Sequence, residues 1–228
     1  MKHMPNILAL DCSTEACSCA LSIGGEMSEH FEIIPRGHAR AILPMIHAIM
    51  REHGMPYTAL DGIAVGAGPG SFTGLRIAAG VAQGIAFGAG LPLIPVSTLA
   101  ALAQLTASSG TRACLTCLDA RINEVYWAVY TVDSNNVALQ GEEQLCKPEL
   151  LRFELSGLAE SCTALGNGMK FIEQMPLQTR KLIENFHDDV SPRASAIATL
   201  GARYLEQGKG VDPADFSPSY IRNKVTHH

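Results

Sequence analysis

The chain has no excess of basic residues, little charge of either sign and few aromatic side chains. Lys and Arg number 17 against 22 Asp and Glu, which gives a formal net charge of −5 and a pI of about 5.9. Such a chain has no overall positive field that would attract nucleic acid by itself. Hydrophobic residues form 47% of the 228 residues, so we expect a soluble globular protein with a substantial core.

We expect neither a disulfide framework nor a secretory leader. The seven cysteines are odd in number and lack scaffold spacing, which suits a reducing compartment. Cys114 and Cys117 form a C-x-x-C inside a strand pattern, where the side chains point to opposite faces and buried packing is favoured. The first apolar run, Ile7–Leu10, ends at Asp11 and is too short for a signal peptide. We therefore expect a cytoplasmic protein.

One long stretch is almost free of charge, and it has to be tested as a membrane span. Between residues 62 and 111 the single charged residue is Arg76. Residues 77–96 are long and apolar enough to be considered. Gln83, several glycines, two prolines and the lack of flanking Lys or Arg argue against a span, and we expect none.

Two parts of the chain share the pattern of a strand, an aspartate, a turn and a second strand, which indicates an internal duplication. The matched pairs are Asp11 with Asp119, Leu10 with Leu118 and Ala20 with Ala128. Strands followed by strand–helix alternation, twice, predict an α/β fold with two lobes. The expected organisation is an N-terminal lobe over 5–110, a smaller lobe over 111–191, a helix over 192–208 that packs back on the first lobe, and an extended tail over 209–228.

Local patterns predict several individual elements. Apolar spacing predicts helices over 39–53 and 148–156, and alternation predicts a strand over 137–145. Ser191 followed by Pro192 predicts the capped start of the last long helix.

A glycine-rich loop, residues 66–73, leads from a predicted strand into a long helix. The free N–H groups of such a helix start can hold an anion, so the candidate nucleotide-binding residues are Asp11, Gly68, Gly70 and Ser71. No lysine follows the glycines, so the loop is not a Walker A motif. Tight turning alone also explains the glycines, and we favour this interpretation.

The helix after this loop carries Gly80, Gly84 and Gly88 on one face. Each glycine inside a helix costs about 1 kcal/mol relative to alanine, so the stripe calls for close approach by another element. That element is either the core of the same protomer or a partner subunit that also contacts the 39–53 helix. The predicted partner face consists of His38, Ile42, Ile46, Arg76, Ile77, Gly80, Val81, Gly84, Phe87 and Gly88.

No residue pattern points firmly to catalysis or metal binding. Asp11 and Asp119 each end a strand, where they either serve Mg²⁺ or a nucleotide or, as we favour, cap the following turn. The spacing of His38, His47 and His53 does not put two imidazoles one helical turn apart. We expect no catalytic residue and no metal site.

Five segments together resemble the TsaB (YeaZ) family of tRNA threonylcarbamoyladenosine modification proteins, and they extend over nearly the whole chain. The segments are "LALDCSTEACSCAL", "HARAILPMI", "GAGPGSFTGLRIAAGVAQGIAFGAGLPLIPVSTLAALA", "LDARINEVYWAVY" and "PSYIR". The resemblance implies two ribonuclease-H-like lobes of the actin-like ATPase superfold. It implies pairing with the catalytic paralogue TsaD through helices, joint work with TsaC and TsaE, and contact with tRNA only through that complex. It also leaves room for ATP or ADP at the complex interface, and the apolar face predicts a homodimer of the free protein.

One departure from the catalytic paralogue bears on function. TsaD has a metal-binding His-x-x-x-His after the strand that corresponds to "LPLIPV", whereas Thr98 and Leu102 stand at those positions here. The resemblance therefore implies a scaffold that has lost the metal chemistry. A metallopeptidase function is not supported either, because its metal ligands are missing. The alternative function is an ATP-dependent small-molecule kinase of the same superfold that uses Asp11.

Overall fold

The structure is a computed structural model that describes residues 4–133, 136–155, 157 and 159–221. These residues divide into two compact units. Unit 1 holds the described residues up to Ala101 together with Pro192–Ser219, and unit 2 holds those between Leu102 and Ser191 together with 220 and 221. Of the predicted tail, residues 222–228 lie outside the described part. No helix in the described ranges combines the length and apolar character that crossing a bilayer requires.

Unit 1 contains a five-stranded mixed sheet with the strand order β3-β2-β1-β4-β5. β1 pairs antiparallel with β2 and β2 with β3, while β4 runs parallel to β1 and β5 parallel to β4. The strands are β1 (Ile7–Asp11), β2 (Ala16–Ile23), β3 (Glu26–Ile33), β4 (Gly62–Gly68) and β5 (Leu93–Ser97).

Unit 2 contains a second five-stranded sheet, with the order β10-β9-β6-β7-β8. β6 pairs antiparallel with β7, and β7 with β8, while β9 runs parallel to β6 and β10 parallel to β9. The strands are β6 (Ala113–Arg121), β7 (Glu124–Asp133), β8 (Asn136–Cys146), β9 (Cys162–Leu165) and β10 (Ile183–His187).

Counted within each unit, both sheets have the strand order 3-2-1-4-5, with the same directions. This is the ribonuclease-H-like arrangement, so the predicted α/β fold with two such lobes is confirmed. The predicted alignment slips by one residue in the second strand, because Ala20 pairs with Ala9 whereas Ala128 pairs with Thr116. An irregularity in the β6–β7 ladder near Asp119 accompanies this slip.

Helices cover both faces of the sheet in unit 1. The helices of the described chain are α1 (His38–Glu52), α2 (Phe72–Ala89), α3 (Thr98–Gln104), α4 (Leu177–Lys181) and α5 (Ala194–Glu206). α1 and α2 share one core with alternate side chains of β1, β2 and β4, whereas α5 packs against the same strands with its own buried side chains. Gly201 permits close approach of α5 to the sheet, since a Cβ there would lie 2.6 Å from Cβ of Ala64.

One of the predicted elements is wrong, and strand β10 was not predicted. The helix expected over 148–156 is a short 3₁₀ helix, Pro148–Leu150, followed by chain that buries Leu151 and Leu155 without helical hydrogen bonding. Strand β10 was not predicted, since most of its residues are exposed and polar. The helix over 39–53 and the strand over 137–145 are confirmed to within a residue at each end.

Ser191 does not cap the last helix, contrary to the prediction. α5 begins after Arg193, and its first amides are satisfied from the sheet. Ser18 Oγ accepts a hydrogen bond from Ala194 N at 3.0 Å, and Glu29 Oε1 accepts one from Ser195 N at 2.9 Å. Groups distant in sequence thus replace the local cap, because the helix start is pressed against β2 and β3.

Candidate functional site

Helix α2 presents two chemically different sides. Its inward side consists of small apolar residues, with Leu75, Ala78, Ala79, Ala82 and Ala86 all buried. Ser71 caps the helix, since its Oγ accepts a hydrogen bond from Gly74 N at 3.2 Å. The small inward side chains let α2 lie close to the sheet.

The outward side of α2 carries the glycine stripe. Gly80, Gly84 and Gly88 are exposed, and a Cβ added at any of them would meet nothing within 4 Å. The stripe is flanked by Phe87, which is 79% exposed, and by Phe72, which is 62% exposed. The protomer itself therefore gains no close contact from these glycines, which excludes the interpretation of α2 as a helix enclosed in its own core.

The other α2 residues of the predicted face lie at its edges. Ile77 and Val81 are half-buried and pack against the core of unit 1. The Arg76 guanidinium is exposed and lies 3.3 Å from the centroid of the Phe72 ring, in a cation–π contact. Its Nη1 also donates a hydrogen bond to Phe72 O at 3.3 Å. Arg76 is thus held at the first turn of α2, beside the stripe.

The α1 residues of the predicted partner face are buried instead. Ile42 and Ile46 belong to the core of unit 1, and His38 hydrogen-bonds through Nε2 to Ala16 O at 3.2 Å. The prediction that these three side chains contact a partner is wrong. The large apolar side chain of α1 that is exposed is Leu43, and the predicted partner face did not include it.

A segment from Val211 to Ser219 runs along unit 1 and is held to it by hydrogen bonds. Val211 and Leu93 exchange two backbone hydrogen bonds, which pairs the segment with the edge of β5. Gln83, on α2, donates through Nε2 to Pro213 O at 2.7 Å and Phe216 O at 3.2 Å. The Phe216 side chain enters the core, and Ser219 N donates to Ala67 O at 2.7 Å. The tail as far as Ser219 is therefore packed against unit 1.

The glycine loop is occupied by the protein's own backbone. Ser71 N donates to Ser13 O at 2.7 Å, and a Cβ at Gly70 would lie 2.5 Å from that same oxygen. Gly68 has φ +109 and faces Ser219 O, 2.7 Å from the place of a Cβ. These glycines thus serve close packing of backbone on backbone. The amides of Ser71 and Gly74 are therefore already engaged within the protomer.

Asp11 lies at the end of β1 and is 1% exposed. Its Oδ2 accepts hydrogen bonds from Ser13 N at 3.1 Å and Ser13 Oγ at 2.8 Å, which confirms the expected turn-capping role. Its Oδ1 is buried without a hydrogen-bond partner in the described chain. Burial raises the pKa of Asp11 to about 7, against the smaller opposite effect of Ser13. A partly neutral, enclosed carboxyl is a poor cation ligand, and the kinase alternative is not favoured.

Asp119 caps the corresponding turn of unit 2, since its Oδ1 accepts a hydrogen bond from Arg121 N at 2.8 Å. Lys170 Nζ lies 2.8 Å from its Oδ2, and Arg121 Nη1 lies 3.6 Å from it. Burial raises the pKa of Asp119, but the hydrogen bonds from Lys170 and the Arg121 amide outweigh it and hold the pKa below its usual value. Asp119 is thus an ion-paired structural carboxylate.

The two positions expected to hold metal ligands by comparison with TsaD are buried in packing. Thr98 Oγ1 donates a hydrogen bond to Pro69 O, and Leu102 is buried in the core. No group of three or more His, Cys, Asp or Glu side chains that could hold a metal ion occurs among the described residues.

Comparison with known proteins places the chain in a family. The model of the family described as TsaD, tRNA N6-adenosine threonylcarbamoyltransferase, matches residues 30–226. A curated tRNA threonylcarbamoyladenosine biosynthesis protein TsaB from Escherichia coli is 38% identical over 222 residues, which are 96% of this chain and 95% of that protein. The TsaB protein of Haemophilus influenzae is 36% identical over 96% of this chain and 94% of its own length.

Solved structures agree with these relatives. YeaZ from Pseudomonas aeruginosa superposes with a TM-score of 0.88 at 37% identity, over 95% of this chain and all of that one. A second Pseudomonas aeruginosa structure, of an uncharacterized protein with similarity to peptidase YEAZ, gives a TM-score of 0.89 at 38% identity. It covers 96% of this chain and all of its own. With the duplicated fold and the glycine-striped helix, these matches show that the chain belongs to the TsaB (YeaZ) family, within the wider TsaD family.

Proposed function

We propose that this chain is a non-catalytic subunit of the machinery that makes threonylcarbamoyladenosine in tRNA, and that it docks onto TsaD in the cytoplasm. Curated relatives are named for this biosynthesis, and the matching family model is that of the transferase. In this proposal TsaD transfers the threonylcarbamoyl group to the adenosine, and tRNA meets this chain only within the complex. TsaC and TsaE complete the machinery.

The observation that carries the proposal is the open glycine stripe on α2. Three helical glycines cost about 3 kcal/mol relative to alanine, and their surroundings in the protomer offer nothing in return, because no atom lies within 4 Å of their Cβ positions. A partner helix that approaches the stripe would recover this cost through many close contacts. Phe72 and Phe87 supply large apolar surface beside it.

The chemistry of the remaining sites supports a scaffold rather than an enzyme. Thr98 and Leu102 are buried at the positions that the paralogue uses for its metal-binding histidines, and neither side chain is a good metal ligand. The Asp11 carboxyl is buried, which raises its pKa to about 7, and its Oδ2 already accepts a hydrogen bond from Ser13 Oγ. TsaD would therefore supply the reaction, and this chain the surface that activates it.

Gly84→Leu tests the docking surface. The new side chain would project into open space in the free protomer, so the variant should fold, while it would collide with a helix packed on the stripe. We expect binding to purified TsaD to weaken by roughly a hundredfold, a loss of about 2.7 kcal/mol. Isothermal titration measures the affinity, and a reconstituted tRNA modification assay should fall in parallel.

Gln178→Leu is the matched control, because it adds the same side chain at an exposed helical position of unit 2. It should bind TsaD as the wild type does. Wild-type protein that fails to bind TsaD would end the proposed function. A Gly84→Leu variant with undiminished affinity would leave the function in place but move the contact away from α2.

In the absence of TsaD, we propose that the same face makes a homodimer. A nearly uncharged surface with a glycine stripe and two exposed phenylalanines is self-complementary across a two-fold axis. Sedimentation velocity should show a dimer for the wild type and a monomer for Gly84→Leu. Competition between TsaD and the second copy would follow, since one face cannot hold both.

A further inference from the structure

The connection between β1 and β2 holds two cysteines whose thiols touch. Cys12 directly follows β1, Cys17 is the second residue of β2, and both are fully buried in the core of unit 1. Their Sγ atoms lie 3.8 Å apart, in a thiol–thiol hydrogen bond. Neither the capping role of Asp11 nor the docking face of α2 accounts for this pair.

The hydrogen bond makes the two thiols unequal. Either thiol can donate this hydrogen bond. It raises the pKa of Cys12, together with burial, and lowers the pKa of Cys17, since a thiol that donates to Cys17 stabilises a thiolate there. The 3.8 Å contact also places each thiol where it can resolve a sulfenic acid formed on the other.

We propose that Cys12 and Cys17 form a redox pair that a peroxide closes into an intramolecular disulfide. The Cys17 thiolate attacks one peroxide oxygen, the O–O bond breaks, and hydroxide leaves, which turns Cys17 into a sulfenic acid. The Cys12 sulfur then attacks the Cys17 sulfur and the S–O bond breaks, while the departing hydroxide takes the Cys12 proton as water. The hydroxide released in the first step takes up the proton that Cys17 lost when it became a thiolate, so two thiols are oxidised and one peroxide is reduced to two waters.

The disulfide would act on the seat of α2. Sulfur atoms bond at about 2.0 Å, so the two must approach by nearly 2 Å, which moves Cys12 or its neighbours. The Cys12 carbonyl occupies the place of a Cβ at Gly74, and Ser13 O accepts the hydrogen bond from Ser71 N, so the first turn of α2 rests on this connection. Closure of the disulfide should therefore loosen the start of α2, whether or not that helix docks on TsaD.

Peptide mapping after treatment with hydrogen peroxide tests the bond itself. Glu15 lies between the cysteines, so a protease that cleaves after glutamate separates them unless a disulfide joins the two peptides. We expect a joined pair two hydrogens lighter than the separate peptides, and a fall from seven titratable thiols to five in denaturant. Cys12→Ser should abolish the joined pair, and Cys19→Ser, which changes another buried cysteine of β2, should keep it. Oxidised wild type without the joined pair would overturn the proposal, as would joining of other cysteines instead.

Amide hydrogen exchange tests the structural effect and uses wild-type protein only, so that it does not depend on the folding of a variant. Amides of residues 74–78 should exchange several-fold faster in the oxidised protein and return to the original rate after reduction with dithiothreitol. Equal rates in the two states would refute the coupling to α2.

Discussion

Asp11 and Asp119 lie at the same place in two copies of one fold, yet their surroundings shift their pKa values in opposite directions. Each lies at or near the end of the central strand of its sheet and caps the next turn through a carboxylate oxygen. In unit 1 burial raises the pKa of Asp11 to about 7. In unit 2 Lys170 and the Arg121 amide hold the pKa of Asp119 low against the effect of burial. The two units share the capped turn, whereas the charge state of each aspartate depends on neighbours from elsewhere in the chain.

The strongest test of this contrast acts on the backbone beside Asp11. A Cβ at Gly66 would overlap Asp11 Oδ1, and it would also lie 3.3 Å from Thr98 Cγ2. We expect Gly66→Ala to lower the free energy of unfolding by about 3 kcal/mol, because the enclosed carboxyl has no room to move away. Urea denaturation measures the change. Combined with Asp11→Ala, which removes the obstructing oxygen, the penalty of Gly66→Ala should shrink; undiminished cost would mean that Thr98 or the backbone is the obstacle.

Asp11→Asn tests the raised pKa. An acid whose pKa is higher in the folded protein than in the unfolded chain opposes folding once the unfolded group has ionised. The wild type should therefore lose stability as pH rises from about 4, the usual pKa of an aspartate, to about 7, the pKa in the fold. The variant removes this slope, and at pH 8 it should be more stable than the wild type by about 2 kcal/mol. Parallel stability profiles for both proteins would show that Asp11 is ionised in the fold.

Asp119→Asn should have the opposite sign and a smaller effect. A lowered pKa contributes stability above the unfolded value, and that contribution is lost as pH falls through the folded value. We expect the variant to lose about 1 kcal/mol at pH 7 and nothing at pH 2. Thermal unfolding at low and high salt provides the control, since the difference should narrow as salt screens the pair with Lys170.

Sequence reasoning found what depends on neighbouring residues. Asp followed by a turn predicted both capped hairpins, and helical spacing predicted α1 and its apolar stripe. The same spacing could not tell that Ile42 and Ile46 face the core while Leu43 is exposed, because an apolar stripe looks alike whether it meets a sheet or a partner. The glycine stripe was more informative, since glycine in a helix carries a cost that only close approach offsets.

Contacts between distant residues were beyond prediction. Glu29 and Ser18 replace the expected Ser191 cap, and Lys170 neutralises Asp119 from 51 positions away. The glycine loop was open to two interpretations, and the one that needs free amides fits poorly, since Ser71 N is bonded to Ser13 O. No local pattern distinguishes a loop that meets a ligand from one that meets its own backbone.

The docked segment that ends at Ser219 has a practical meaning for the life of the molecule. Loss of the chain from Val211 onward, for example after proteolysis, would remove the backbone pairing of Leu93 at the outer edge of β5. It would also remove the Phe216 side chain from the core. The result would be an unpaired sheet edge beside a core with a cavity, and an unpaired edge favours association of one damaged copy with another. We therefore expect a chain that ends before Val211 to aggregate more readily than the intact one.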